Sequence, residues 1–288
     1  MQHEPLLTEG GIPYLDLGGA EQHPVMLFSH ANGYPPLCYQ SLLEPLRSSN
    51  RLFAGLHRPL WPSMQESAEF PDWSVFADDL VALADHVANR PLVHVGHSMG
   101  ASAGVLAAAS KPSLFKALIL IEPAIVSRRY LVLLRLFARL APDLIPLVRT
   151  TLNRTDQWPT RQDAFEHFRP KAVFKNIPDR ELWDYVQYGT EEASDGSVRL
   201  TYSKDWEAHC YTRVHDIWQA LNSIHIPTLA IRARDSNTIF PGAWGKWQRQ
   251  APQHEFLVIE AAGHLLPFEK PLETAEHIER WLHSVKGL

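Results

Sequence analysis

Ser98 lies at the centre of Gly96-His97-Ser98-Met99-Gly100, and the residues on either side give that serine a chemistry. Before it runs a short apolar stretch of strand character, Pro91 to Val95. After it comes a small-residue run of helix character, Ala101 to Ala109. A strand turning sharply into a helix strains the residue at the turn, and only small neighbours avoid a clash there. Such a turn holds the serine oxygen clear of the backbone at the C-terminal edge of a sheet. The helix behind it offers unpaired N–H groups and a partial positive charge. A serine so placed can attack a carbonyl carbon, and the N–H of Met99 can receive the oxyanion that forms.

The serine needs a base, and with fifteen histidines in the chain composition does not choose one. Position does. His264 stands in Gly263-His264-Leu265-Leu266-Pro267, directly after the last strand-like run, in a loop that should reach the same sheet edge as Ser98. There it can take the serine proton and return it to a leaving group. His97 is adjacent to Ser98, but successive strand residues point to opposite sides, so it is expected beneath the turn as a packing or hydrogen-bonding residue. His94 is expected to be a satisfied core histidine. The base in turn needs a carboxylate to hold its tautomer and stabilise the imidazolium. Glu122 ends the strand after the serine's helix, and Asp235 follows the next strand in Arg232-Ala233-Arg234-Asp235-Ser236-Asn237. Either strand end could supply it. For a second oxyanion donor, the loop Ser29 to Gly33 follows a central strand and lets the backbone approach a ligand. The N–H of Asn32, or of Ala31 beside it, is the expected donor, and His30 is expected to brace the loop rather than react.

These residues must be positioned by a sheet. Ile12 to Leu17 alternates and reads as an edge strand, and Val25 to Phe28 is a continuous apolar run that fits a buried central strand. Arg51 to Leu56, Pro91 to Val95 and Ala117 to Ile121 follow as strands, separated by helical spacing over Tyr39 to Leu46, Trp73 to Ala88 and Met99 to Ser110. The alternation then breaks. From Ala124 to Ser223 only helical patterns and polar loops occur, with many aromatics. It resumes with strands at Pro227 to Ile231 and Glu255 to Ile259 and helices at Trp244 to Gln250 and Pro271 to Val285. Alternating strands and helices imply a mostly parallel sheet covered on both faces, with a helical insertion seated on the strands' C-terminal ends. The expected organisation is a core of residues 1–123 and 224–288 and a helical cap of residues 124–223.

Composition narrows the partners. The net charge is −5, with no basic run, so nucleic acid is not expected. Two distant cysteines, Cys38 and Cys210, do not make a disulfide framework, and a reduced, cytoplasmic setting is expected. Met1 to Gly10 has no apolar signal core. Tyr130 to Val148 is the most apolar long segment, but Arg135, Arg139, Asp143 and two prolines interrupt it, so no integral membrane segment is expected. Dimer surface, membrane-facing cap and cap core are all open to it, and cap core is the commonest fate of such a helix. Arg128, Arg129 and Arg135 are more readily solvent-facing than bound to an acidic substrate group. No histidine spacing of the metal-ligand kind is present, so no metal and no organic cofactor are expected. The oligomeric state is open between monomer and homodimer.

With Ser-His-Ala-Asn-Gly after one strand, Gly-His-Ser-Met-Gly after another, a helical insertion and Gly-His-Leu-Leu-Pro in that order, the chain resembles the α/β-hydrolase superfamily over nearly its whole length. The resemblance implies an eight-stranded core sheet, a helical cap after strand six and a nucleophile elbow at Ser98. It places the first oxyanion donor after strand three, where relatives carry His-Gly-x-Pro and this chain has His30-Ala31-Asn32-Gly33; Asn32 takes the donor position. Many relatives hold the acid after strand seven, where this chain has Asn237, with Asp235 two residues early. Others, such as some haloalkane dehalogenases, hold a glutamate after strand six, which Glu122 matches. Glu122 is therefore the expected acid and Asp235 the second choice. The function implied is hydrolysis of a small-molecule carboxylic ester of a small to medium apolar acid. Carbon–carbon or amide cleavage or lyase chemistry by the same triad is an alternative within enzymes, and a ligand-binding receptor on the same fold is one outside them.

Overall fold

Near-continuous apolar runs in the middle of the chain build a sheet that is buried on both faces. The computed structural model describes residues 4–62, 64, 70–285 and 287, so residues 1–3 of the polar N-terminal stretch lie outside the described residues. In chain order the strands are β1 (Leu6–Leu7), β2 (Pro13–Gly18), β3 (Val25–Ser29), β4 (Arg51–Gly55), β5 (Leu92–His97), β6 (Phe115–Ile121), β7 (Gln157–Trp158), β8 (Thr190–Glu192), β9 (Val198–Leu200), β10 (Thr228–Ala233) and β11 (Glu255–Ile259). The helices are α1 (Gln40–Leu46), α2 (Ser74–Val87), α3 (Met99–Ser110), α4 (Arg128–Leu140), α5 (Pro146–Leu152), α6 (Arg161–Phe168), α7 (Asp179–Gly189), α8 (Lys204–Thr212), α9 (Trp218–Ser223), α10 (Pro241–Gln250), α11 (Leu266–Glu269) and α12 (Pro271–Ser284).

Eight strands form the main sheet in the order β1-β2-β4-β3-β5-β6-β10-β11. The pairings from β4 through β11 are parallel; β2 is antiparallel to both β1 and β4. The Ile12 to Leu17 segment is therefore not an edge strand. Two residues, Leu6 and Leu7, pair outside it, too short a run for alternation to reveal. Parallel strands need crossovers, and the helices that supply them bury both faces. One core cluster includes Phe28, Leu42, Ile119 and Ile231, and the other includes Leu27, Leu80, Val105 and Leu118. Helix α2 buries Phe76, Ala77, Leu80, Leu83 and Ala84, one face at helical spacing. Helix α3 is mostly small residues, and where it crosses the sheet it lies too close for a side chain: a Cβ at Gly104 would come within 2.2 Å of the His94 ring.

The parallel register brings the C-terminal ends of β3, β5, β6, β10 and β11 to one edge. Over that edge lies the long connection between β6 and β10. It is not purely helical. Besides α4 to α9 it contains a three-stranded antiparallel sheet, β7-β9-β8. These strands are two and three residues long, below the length at which periodicity is readable. Most of the connection's large aromatics are packing residues: Trp158, Phe168, Tyr185 and Trp206 are all buried in core clusters. Tyr130 to Val148 does not become core; only Leu131, Leu134, Ile145 and Val148 of its large apolar residues are buried.

Candidate active site

Strand β5 ends at His97, and the chain reverses into α3 through Ser98, whose φ is +54° and ψ −114°. That conformation is costly for any residue with a Cβ. The flanking glycines make it possible. A Cβ at Gly96 would lie 2.6 Å from the Ala101 backbone, and one at Gly100 would lie 2.2 Å from the carbonyl oxygen of Ser29. The elbow is thus pressed against the end of the neighbouring strand β3, where the loop carrying Asn32 begins.

Ser98 Oγ lies 3.0 Å from His264 Nε2, and His264 Nδ1 lies 3.1 Å from Glu122 Oε2. The Glu122 carboxylate accepts from His264 Nδ1–H, which leaves Nε2 to accept the proton of Ser98. Glu122 has no exposed surface, and its φ is +50°, a second strained residue at the same sheet edge. Its Oε1 accepts from the Ala233 N–H at 2.7 Å, and its Oε2 also accepts from the Ser236 hydroxyl. Ser236 Oγ is held in turn by the N–H groups of Thr238 and Ile239, at 3.2 and 2.9 Å. Asp235 is not brought to the histidine. Its side chain is exposed, and its backbone N–H bonds to Ala262 O at 3.0 Å. The loop after β10 supplies Glu122 with donors instead of supplying the carboxylate.

On the other side of Ser98, Ala31 N–H donates to the Tyr39 hydroxyl at 3.2 Å, which leaves Asn32 N–H as the donor candidate of its loop. Met99 is the first residue of α3, a position whose N–H has no intrahelical acceptor. The Asn32 side chain is pinned from the insertion. Its Nδ2 donates to Glu207 O at 3.0 Å, and its Oδ1 accepts from the Tyr202 hydroxyl at 2.7 Å. Glu207 forms a close ion pair with Arg154 and accepts from Tyr211 Oη at 3.2 Å. Burial pushes its carboxyl above the usual range, with Arg154 opposing.

The other histidines brace the site. His97 Nε2–H donates to His264 O at 2.9 Å, and its Nδ1 accepts from Tyr39 Oη at 2.8 Å. One imidazole thereby ties the histidine loop to β5 and, through Tyr39, to the Asn32 loop. His30 Nδ1–H donates to Ala31 O at 2.8 Å, and its Nε2 accepts from His57 N–H at 3.1 Å. His94 is only half satisfied: Nε2 lies 3.1 Å from Ser29 Oγ, while Nδ1 is buried without a hydrogen-bond partner. Burial holds His30 and His97 well below the ordinary imidazole value and brings His57 to about 4 and His94 to about 3. All four are neutral at pH 7.

The sequence profile described as the alpha/beta hydrolase family matches residues 26–277, most of the chain and every residue of this site. The chain belongs to the alpha/beta hydrolase family. Among curated relatives, it is 25% identical over 232 residues to an abhydrolase domain-containing protein, AFT2-1, of Alternaria alternata, covering 68% of this chain and 84% of that one. Its fold is similar to that of E-2-(acetamidomethylene)succinate hydrolase, with a TM-score of 0.80 and 20% identity over 98% of this chain and 99% of that one. It is also similar to a thioesterase domain from the curacin biosynthetic pathway, with a TM-score of 0.72 and 22% identity over 97% and 99%.

Several residues of this family member's site escape sequence reasoning. Tyr39, Tyr202, Glu207 and Arg154 contact the site or its loops yet sit in no motif, and Ser236 stands in the stretch Arg232 to Asn237 without having been given a role. Ser236 alone carried a signal, as a small hydroxyl residue in the loop after β10. Arg128 and Arg129 are exposed, and Arg135 reaches only Asp72, at 3.9 Å. Among the described residues no group of three or more His, Cys, Asp or Glu side chains is placed to hold a metal ion, and no helix is long and apolar enough to cross a membrane.

Proposed function

We propose that the protein is a serine hydrolase that cleaves carboxylic esters of small to medium apolar acids through an acyl-enzyme on Ser98. The observation that carries this reading is the unbroken hydrogen-bonded line from the buried Glu122 through His264 to Ser98 Oγ. Ser98 Oγ attacks the acyl carbon as His264 Nε2 takes its proton. The N–H groups of Asn32 and Met99 hold the oxyanion, and Glu122 stabilises the imidazolium. His264 gives the proton to the departing alcohol. Water then loses a proton to His264 and attacks the acyl-enzyme, releasing the acid and restoring Ser98. The apolar acyl preference rests on the aromatic and aliphatic content of the insertion that lies over the strand ends. Residues 124–223 act in this reading as a cap domain on a core of residues 1–123 and 224–288; the hold of Tyr202 and Glu207 on Asn32 supports that role.

The test is turnover of p-nitrophenyl acetate, butyrate, hexanoate and octanoate by the wild type and Ser98→Ala. Turnover in the wild type that disappears in the variant is expected, with a maximum at the shorter chains. Turnover retained by Ser98→Ala would overturn the nucleophile. A folded wild type with none overturns the ester reading in favour of amide or carbon–carbon cleavage, lyase chemistry or ligand binding.

A further inference from the structure

Helix α4 leaves most of its apolar residues in solvent. Of thirteen exposed large hydrophobic residues among the described residues, eight fall between Tyr130 and Leu147. They are not scattered. Leu131 and Leu134 face inward and pack in the cluster that holds Met99 and Trp206. Val132, Leu136 and Leu140 follow one another at four-residue spacing on the opposite side, and Leu133 and Phe137 run beside them, making one continuous outward stripe. Arg128, Arg135 and Arg139 project along one flank of that stripe and are exposed. Arg129 and Arg149 are exposed as well; Asp143 is the single acidic residue between 124 and 155, and Arg135 meets Asp72 at 3.9 Å. In a chain with a net charge of −5, this is a local concentration of positive charge on an apolar face.

We propose that α4 and the start of α5 dock this protein on an anionic lipid bilayer, with α4 lying in the plane of the interface. A helix with an apolar stripe edged by arginines is the form that inserts its side chains shallowly among acyl chains while its guanidinium groups meet lipid phosphates. Charge selects this occupant over a second copy of the chain. Paired antiparallel about a two-fold axis, two copies would set one arginine flank beside the other along the edge of the interface; paired parallel, each flank would meet the partner's apolar edge at Leu133 and Phe137, which offers the guanidinium groups no anion. The inner face of α4 shares a cluster with Met99, beside Ser98, so docking turns the insertion over the site toward the bilayer.

The test is flotation of the full-length protein with vesicles of phosphatidylcholine alone and of phosphatidylcholine containing roughly one-third phosphatidylserine. Binding is expected to the anionic vesicles and to weaken as salt is raised. Leu133→Glu/Phe137→Glu should abolish it. Arg128→Gln/Arg129→Gln/Arg139→Gln should weaken binding roughly fivefold for each arginine removed, and leave less salt dependence. All of these positions are exposed, and an unchanged melting temperature checks that both variants fold. Absence of binding by the wild type overturns the proposal, as does equal binding by the variants. A concentration-dependent dimer in sedimentation velocity that Leu133→Glu/Phe137→Glu dissolves, without vesicle binding, assigns the face to a second copy instead.

Discussion

Glu122→Gln changes one atom in the site, and its effect follows from the hydrogen bonds around that carboxylate. Glu122 is buried and receives three donors: Ala233 N–H, the Ser236 hydroxyl and His264 Nδ1–H. A glutamine offers one oxygen and one NH2 group. If its oxygen stays toward Ala233, the NH2 faces His264 Nδ1, and the ring must move its proton to Nε2 to accept. Nε2–H then points at Ser98 Oγ and cannot take the serine proton. Ser236 cannot absorb the change, because its oxygen already accepts from the N–H groups of Thr238 and Ile239. If the amide flips, its NH2 meets the Ala233 N–H, and a buried donor pair without acceptors costs about 1–3 kcal/mol. In either orientation the negative charge that stabilises the imidazolium is gone. The expected loss in kcat is about 10³–10⁴-fold, the scale seen when a triad carboxylate becomes an amide, or roughly 4–5.5 kcal/mol in the barrier. KM should change little. Asp235→Asn, at an exposed carboxylate away from His264, should leave kcat within about twofold. Steady-state hydrolysis of p-nitrophenyl butyrate, with a melting curve for each variant, reads both. A Glu122→Gln enzyme keeping more than about a tenth of wild-type kcat, or an Asp235→Asn loss of comparable size, would refute the reasoning.

Ser236→Ala removes a donor from a buried carboxylate and an acceptor from two backbone N–H groups. It should cost about 1.5–3 kcal/mol in urea denaturation and lower kcat with KM unchanged; an unperturbed midpoint would show that the hydroxyl is dispensable. Gly100→Ala places a Cβ against backbone oxygens of Ser29 and His30, at 2.2 and 2.6 Å, which cannot give way as side chains do. A loss of about 1–3 kcal/mol or more is expected, with displacement of the Asn32 loop and a drop in kcat. Gly242→Ala, at a helix position with open space around it, is the control and should be neutral or slightly stabilising. Acid should destabilise the fold before carboxylates titrate. The folded values of His30, His57, His94 and His97 are all depressed, so below about pH 6.5 the unfolded chain binds protons that the native state refuses. Stability is therefore full above pH 6.5 and falls as pH drops, by about 1.4 kcal/mol per unit for each such histidine, until the folded values near 4 for His57 and 3 for His94 are reached. Urea midpoints that stay flat from pH 7 to pH 5 would contradict this.

Sequence alone determined what depends on local spacing. A serine between two glycines, after an apolar run and before a small-residue helix, specifies its turn, because few other residues tolerate the backbone contacts at Gly96 and Gly100. A histidine after the last strand is legible because parallel strands deliver their C-terminal ends to one edge whatever lies between them. The strand–helix rhythm likewise fixed the main sheet, apart from the two-residue β1. The tertiary structure decided what depends on residues far apart in the chain. By position alone Glu122 and Asp235 are equivalent, each a carboxylate after a strand, and only the family resemblance ranked Glu122 first. Only the folded loop shows Ala233 and Ser236 turned onto Glu122 and Asp235 turned out to solvent. Tyr39, His97 and His264 form one brace across 225 residues of chain, and no spacing rule encodes such a contact. The exposure of α4 was hidden for the same reason. Nine apolar residues and four arginines in thirteen fit cap core, dimer surface or membrane-facing helix alike, and whether a face finds neighbours is settled by where the chain places it.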